Sequence, residues 1–203
     1  MGKTKVKKQS TFIDMTAMSD VTVLLLTFFM LTSTFLPKEP VQVLTPASVS
    51  ERKISEYNVL TILLDPEGRV FLNLDKDEDK REVLKLMGQD YGITFTPKQV
   101  ASFVEQTHIG VPMGKMSDFL NKSLSDQDEE IKKQGVPTDS VNNQLAMWVK
   151  HAREIGGDDL SIAIKADRAT PYPDVDKVMK ILVKMKENRY SLITTLRGMP
   201  EGL

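Results

Sequence analysis

"IDMTAMSDVTVLLLTFFMLTSTF", residues 13–35, is oily enough to cross a bilayer and yet carries a carboxylate, Asp20, among Leu, Val, Phe, Met and hydroxyl side chains. From Met15 to Leu36 the run is about 22 residues, which as a helix rising ~1.5 Å per residue covers ~33 Å, against a hydrocarbon core of ~30 Å. Ahead of it stand Lys3, Lys5, Lys7 and Lys8, opposed only by Asp14. Basic flanks stay on the cytoplasmic side, so the expected topology is N-terminus in and everything after Pro37 out. A cleaved secretory signal shares the basic start and the apolar stretch. Its apolar region is shorter, about 7–15 residues, and no small-x-small site precedes Phe35 here, so an uncleaved anchor is expected. Val6 stands where a myristoylation motif starting at Gly2 wants Ser or Thr.

Asp20 needs a reason to be there. A charged Asp at the centre of a spanning helix costs about 2.5–3.5 kcal/mol, and somewhat less near an end. Moving the membrane boundary to Val21 would wet the carboxylate but leave only about 16 residues, ~24 Å, to cross. Thr16, Asp20, Leu24, Thr27, Leu31 and Thr34 follow one another at steps of three or four and form one helical stripe. Hydroxyls above and below a carboxylate suit a protein-lined, hydrated interior better than lipid. Low dielectric favours the neutral acid, so a carboxyl whose access to water alternates gains and loses a proton. The competing reading is an anchored periplasmic binding module in which Asp20 only hydrogen-bonds a neighbouring helix.

This stretch resembles, across almost its full length, the characteristic membrane segment of the ExbD/TolR family of biopolymer-transport proteins, with Ala17 where the family usually has proline. Two further blocks are similar to family segments. "YNVLTILLDPEGRVFLN" (57–73) resembles the first periplasmic hairpin. "LSIAIKADRATPYPDVDKVMKILVKMKENRYSLIT" (160–194) resembles the strand, turn, helix and last strand. Residues from about 75 to 139 exceed what the family usually carries there. The resemblance implies that Asp20 is a proton-translocating aspartate, with Thr16, Thr27 and Thr34 as polar groups on the same helix face. It also implies an inner-membrane dimer working inside a polytopic ExbB-like subunit and passing motion to a TonB-like protein. A TolR-like subunit maintaining the envelope is the alternative within the family.

Composition excludes much else. Lys and Arg number 27 against 28 Asp and Glu, so no global field points to nucleic acid. There is no cysteine, hence no disulfide, thiolate metal site or thiol nucleophile. His108 and His151 are far apart and read as lacking a ligand partner at i+3 or i+4, so no metal site is expected. "DKDEDKRE" spaces Asp75, Asp77 and Asp79 like a calcium loop but has Lys80 and Leu86 where Gly and Glu are needed, and reads as a solvated helix start. "DQDEEIKKQ" reads as a solvated face. Asp167 of "KAD" reads as a turn residue, since no His, Cys or Ser stands with it. No cofactor and no enzymatic activity are expected.

The chain therefore divides into a basic cytoplasmic tail (1–14), a transmembrane helix (15–36), an extended linker (37–56) in which "VQVL" could add as a strand, and a periplasmic domain (57–203). The domain is expected to be α+β with a mixed sheet and helices on one side. Leu60, Ile62 and Leu64, then Asp-Pro-Glu-Gly, then Val70, Leu72 and Leu74 predict a hairpin. Thr96-Pro97 opens a helix with Val100, Phe103, Val104 and Thr107. Another helix, with Trp148 in its core face, runs from about Val141 to Ile155 and stops at Gly156-Gly157. Leu160, Ile162 and Ile164 predict a strand. A helix starting at Pro171–Pro173 faces inward with Val175, Val178, Met179, Leu182 and Val183, and a closing strand covers about Tyr190 to Leu196.

Overall fold

The computed structural model describes residues 15–33, 40–45, 47–48, 57–139, 142–193 and 195–196. It separates into two compact units, Met1–Pro37 and Lys38–Leu203. In the first unit lies α1 (Met15–Thr32), long and apolar enough to cross a membrane. Its threonines cost the helix little, because their hydroxyls fold back onto it. Thr22 Oγ1 donates to the Met18 carbonyl at 2.7 Å and Thr32 Oγ1 to that of Phe28 at 2.8 Å. The expected last residues of the span, 34–36, lie outside the described residues.

The second unit is α+β, as expected. Its elements run β1 (Ala47–Ser48), β2 (Val59–Leu64), β3 (Val70–Leu74), α2 (Asp77–Tyr91), α3 (Pro97–Glu105), α4 (Met113–Leu120), α5 (Leu124–Ile131), α6 (Gln144–Gly156), β4 (Ser161–Ala166), α7 (Tyr172–Lys184), β5 (Tyr190–Leu192) and β6 (Thr195–Leu196). The main sheet has the order β3-β2-β4-β5, with β3 antiparallel to β2 and the others parallel. Leu60, Ile62 and Leu64 stand opposite Leu74, Leu72 and Val70 on one side and Ile162, Ile164 and Ala166 on the other. Period-two alternation thus places one continuous aliphatic face into the core.

The hairpin turns where Asp-Pro-Glu-Gly predicts, with Gly68 at φ 76°. Asp65 does more than turn. It is buried, accepts from the Glu67 and Arg69 amides at 3.1 and 2.8 Å, and pairs with Arg69 Nε at 2.6 Å. Arg69 in turn donates to the Lys132 carbonyl, tying the hairpin to the long segment between β3 and α6.

That segment, which contains the expected insertion, closes one edge of the sheet. Ile109 and Leu72 exchange amide bonds of 2.8 and 2.7 Å, and the Val136 amide donates to the Val70 carbonyl at 2.8 Å. Phe71, on the opposite face from Leu72, is buried beneath Gly110, where a Cβ would collide with its ring. Inside the segment the solvated reading of "DQDEEIKKQ" is corrected: Gln127 and Ile131 are fully buried. Gln127 accepts from Gln106 and donates to the Lys122 carbonyl at 2.9 Å, so its amide groups are satisfied without water. Lys80 departs from the solvated start of α2 in the same way. It is buried and caps α3 through the carbonyls of Val104 and Gln106, both at 3.3 Å.

The other helices follow their caps. Thr96 and Gln99 form a reciprocal box at the start of α3, which ends at Glu105, short of Thr107. Asn143 caps α6 by accepting from the Ala146 amide at 3.0 Å, so that helix starts at Gln144 rather than near Val141, a residue outside the described ones. Gly157 (φ 63°) ends it. Trp148 is buried, with its ring stacked 6.0 Å from Phe103. On α7 the inward face uses Ile181, while Val183 is 53% exposed, because Ile181 lies on the same side as Val178 and Leu182. The expected closing strand is two strands: β5 completes the main sheet, and β6 pairs with β1.

Candidate functional site

Two features make up the candidate site. The first is Asp20, the sole ionisable side chain of α1. It sits five residues past Met15, about 7–8 Å along the axis. Thr16, Leu24, Thr27 and Leu31 share its stripe by helical geometry, while Thr34 lies outside the described residues. Thr27 Oγ1 is 3.0 Å from both the Val23 and Leu24 carbonyls, so its proton is committed to the helix and its lone pairs face outward. Such a hydroxyl accepts a hydrogen bond from water or from a protonated acid without rearranging. Every described residue of α1 is exposed within this chain, so Asp20 has no ion-pair partner among the described residues.

The second feature is the way the linker is held. Leu44 lies between two partners at the end of β4: its amide donates to Asp167 Oδ2 at 2.8 Å, and its carbonyl accepts from the Arg168 amide at 2.8 Å. Val41 is buried, and Ala47–Ser48 pair in parallel with Thr195–Leu196. "VQVL" therefore docks through one backbone clasp and one buried valine, and strand pairing falls to the next residues, Ala47 and Ser48. Asp167 is a turn residue, accepting from Ala169 N at 2.8 Å, and with its second oxygen also a latch. The sequence shows the turn but not the latch, whose partner lies 123 residues away.

The remaining polar clusters are structural. His151, buried in α6, is 2.6 Å from Asp90 Oδ2 of α2 and 3.3 Å from Glu154 Oε2. Glu154 is an i+3 carboxylate, which corrects the reading that the histidines lack such a neighbour. Among the described residues no group of three or more His, Asp or Glu side chains is arranged to hold a metal ion. A wide polar hollow of about 1060 Å³ lies beside β5, walled by Arg153, Glu187, Lys186 and Tyr190. Arg153 is fully committed there, to Glu187 at 2.8 and 2.6 Å and to the Gly157 and Leu160 carbonyls at 2.8 Å.

Compared with known families, the chain matches the family model described as Biopolymer transport protein ExbD/TolR over residues 7–196, nearly its whole length. Neither the comparison with curated proteins nor that with solved structures gave a match.

Proposed function

Because the chain belongs to the ExbD/TolR family of biopolymer transport proteins, we propose that Asp20 is the group through which it takes energy from the proton gradient. The family's members are energy-transducing transport accessories that work with polytopic membrane partners, and the apolar helix α1 fits a single-pass inner-membrane protein. The basic tail stays in the cytoplasm, α1 spans the bilayer as one of a pair, and the folded unit lies in the periplasm.

The observation that carries this reading is one carboxylate in an otherwise uncharged 18-residue apolar helix. A lone acid there is tolerated where a partner supplies a hydrated wall, and an ExbB-like oligomer would do so. Asp20 takes up a proton on the periplasmic side, becomes neutral enough to face apolar surroundings, and releases the proton toward the cytoplasm. Thr27 offers outward lone pairs about two turns away, and Thr16 extends the same face one turn in the other direction. Each proton falling through 100 mV supplies about 2.3 kcal/mol. That matches the scale of the Leu44 clasp, two hydrogen bonds worth about 0.5–1.5 kcal/mol each. Motion of α1 would then reach the folded unit through the linker and be passed to a TonB-like partner.

The test is Asp20→Asn in the host, at verified membrane abundance, with proton-motive-force-dependent uptake through outer-membrane transporters as readout. The amide keeps the shape and hydrogen bonding but cannot titrate, so uptake should be abolished. Normal uptake with a leaky envelope would move the chain to a TolR-like role. Normal uptake with an intact envelope would sink the proton-carrier reading and leave an anchored binding module.

A further inference from the structure

The connector between α2 and α3 holds apolar side chains half in water, and the caps at both its ends prevent them from sinking further. Gly92 (φ 65°) closes α2, with the Ile93 amide donating to the Gly88 carbonyl at 2.8 Å. Thr96 opens α3 through its reciprocal bonds with Gln99. Between these fixed points Ile93 and Phe95, joined by Val100, line a groove of about 460 Å³ whose other wall is α2, with Arg81, Glu82, Lys85 and Gln89. Gly88 lets the connector press close: a Cβ there would meet the Ile93 carbonyl at 2.6 Å and Phe95 Cε2 at 3.1 Å. The groove is thus preformed, and it lies wholly within the segment between residues 75 and 139.

Its chemistry points to one kind of occupant. Arg81 and Lys85 are exposed, one helical turn apart, and make no ion pair with any described residue. Glu82 stands on the same rim, so the surface is mixed but net cationic. An anionic lipid surface would meet apolar atoms recessed between α2 and the connector rather than protruding from them. One wall is α2, whose backbone groups are already bonded along the helix, and no strand lines the groove, which leaves no sheet edge to add to. Side chains must supply the binding. We propose that this groove docks an acidic amphipathic helix of another protein. Apolar residues one turn apart enter against Ile93, Phe95 and Val100, while carboxylates at the same spacing pair with Arg81 and Lys85.

The assignment does not depend on the proton-carrier reading and can be tested without it. The full chain in detergent micelles is titrated, at low salt, into a fluorescein-labelled alanine-based helix bearing Leu pairs and Glu pairs at i, i+4, and into its twin with Lys for Glu. The expected result is saturable binding of the Glu peptide, weakened by at least about tenfold in Phe95→Ser. R81E/K85E should exchange preference to the Lys peptide, with Trp148 emission unchanged as the check on folding. Absence of binding by either peptide overturns the proposal, as does equal binding of both. Competition by phosphatidylglycerol vesicles as effective as by unlabelled Glu peptide would make the site a lipid contact and equally overturn it.

Discussion

Gly110→Ala tests whether the long segment is clamped to the sheet as described. A Cβ at Gly110 would sit 2.7 Å from Phe71 Cε1 and closer still to Cδ1, where ordinary contacts are 3.4–4 Å. Phe71 has no exposed surface, so relief requires the ring or the backbone to withdraw by about 1 Å, at an overpacking cost of about 1–3 kcal/mol. The backbone route stretches the Ile109–Leu72 pair, now at 2.7 and 2.8 Å, and weakening it adds about 1 kcal/mol. A loss of about 2–4 kcal/mol is expected. The matched control is Gly114→Ala, four residues on and inside α4, where a Cβ meets nothing within 4 Å. There alanine should stabilise by about 0.5–1 kcal/mol, through helix propensity and a less flexible unfolded chain. Urea unfolding followed by the single, buried Trp148 reads both variants, with the midpoint moving and the slope constant. Gly110→Ala within about 0.5 kcal/mol of the parent would refute the seating of Gly110 on Phe71.

Three further outcomes are expected. Arg153→Met strands Glu187 and two carbonyls and should cost about 2–4 kcal/mol; in the same urea assay Arg153→Met with Glu187→Met should recover more than half of it. Asp167→Ala removes the acceptor of the Leu44 amide, so hydrogen exchange at Leu44 should quicken by about tenfold, corresponding to ~1.4 kcal/mol, while exchange in β2 stays unchanged. Burial first, and Asp90 second, raise the Tyr91 pKa above 10.0. Unfolded Tyr91 therefore ionises before the folded form, so its contribution to stability is complete below about pH 10 and falls away as pH rises through the folded value. A phenolate absorbance titration of Tyr91→Phe against the parent should lack one component that ionises above the ordinary phenol range, and the variant should lose less stability on alkaline titration.

The readings that rested on neighbours in sequence are the ones that hold. The Asp-Pro-Glu-Gly hairpin, the Thr96-Pro97 start, the Gly156-Gly157 stop and the burial of Trp148 each depend on residues within one or two turns of one another. The apolar helix long enough to cross a membrane, and its one acid, are equally local, since length and composition decide them. What the sequence could not show is where distant segments meet. Gln127 and Lys80 look solvated because their neighbours are charged; they are buried because Gln106 and the α3 carbonyls arrive from elsewhere in the chain to bond them. Val183 looks inward by period, yet a helix lying on a sheet buries only a narrow stripe, and Ile181 occupies it. The last strand divides because β6 finds β1 rather than the main sheet. Asp167 latches Leu44 for the same reason: the acceptor is visible in the sequence, and its donor becomes a neighbour only when the chain has folded. Local pattern sets each element, because backbone hydrogen bonding and side-chain period act over a few residues. Burial, latches and grooves belong to the tertiary structure, because they depend on which surfaces come together.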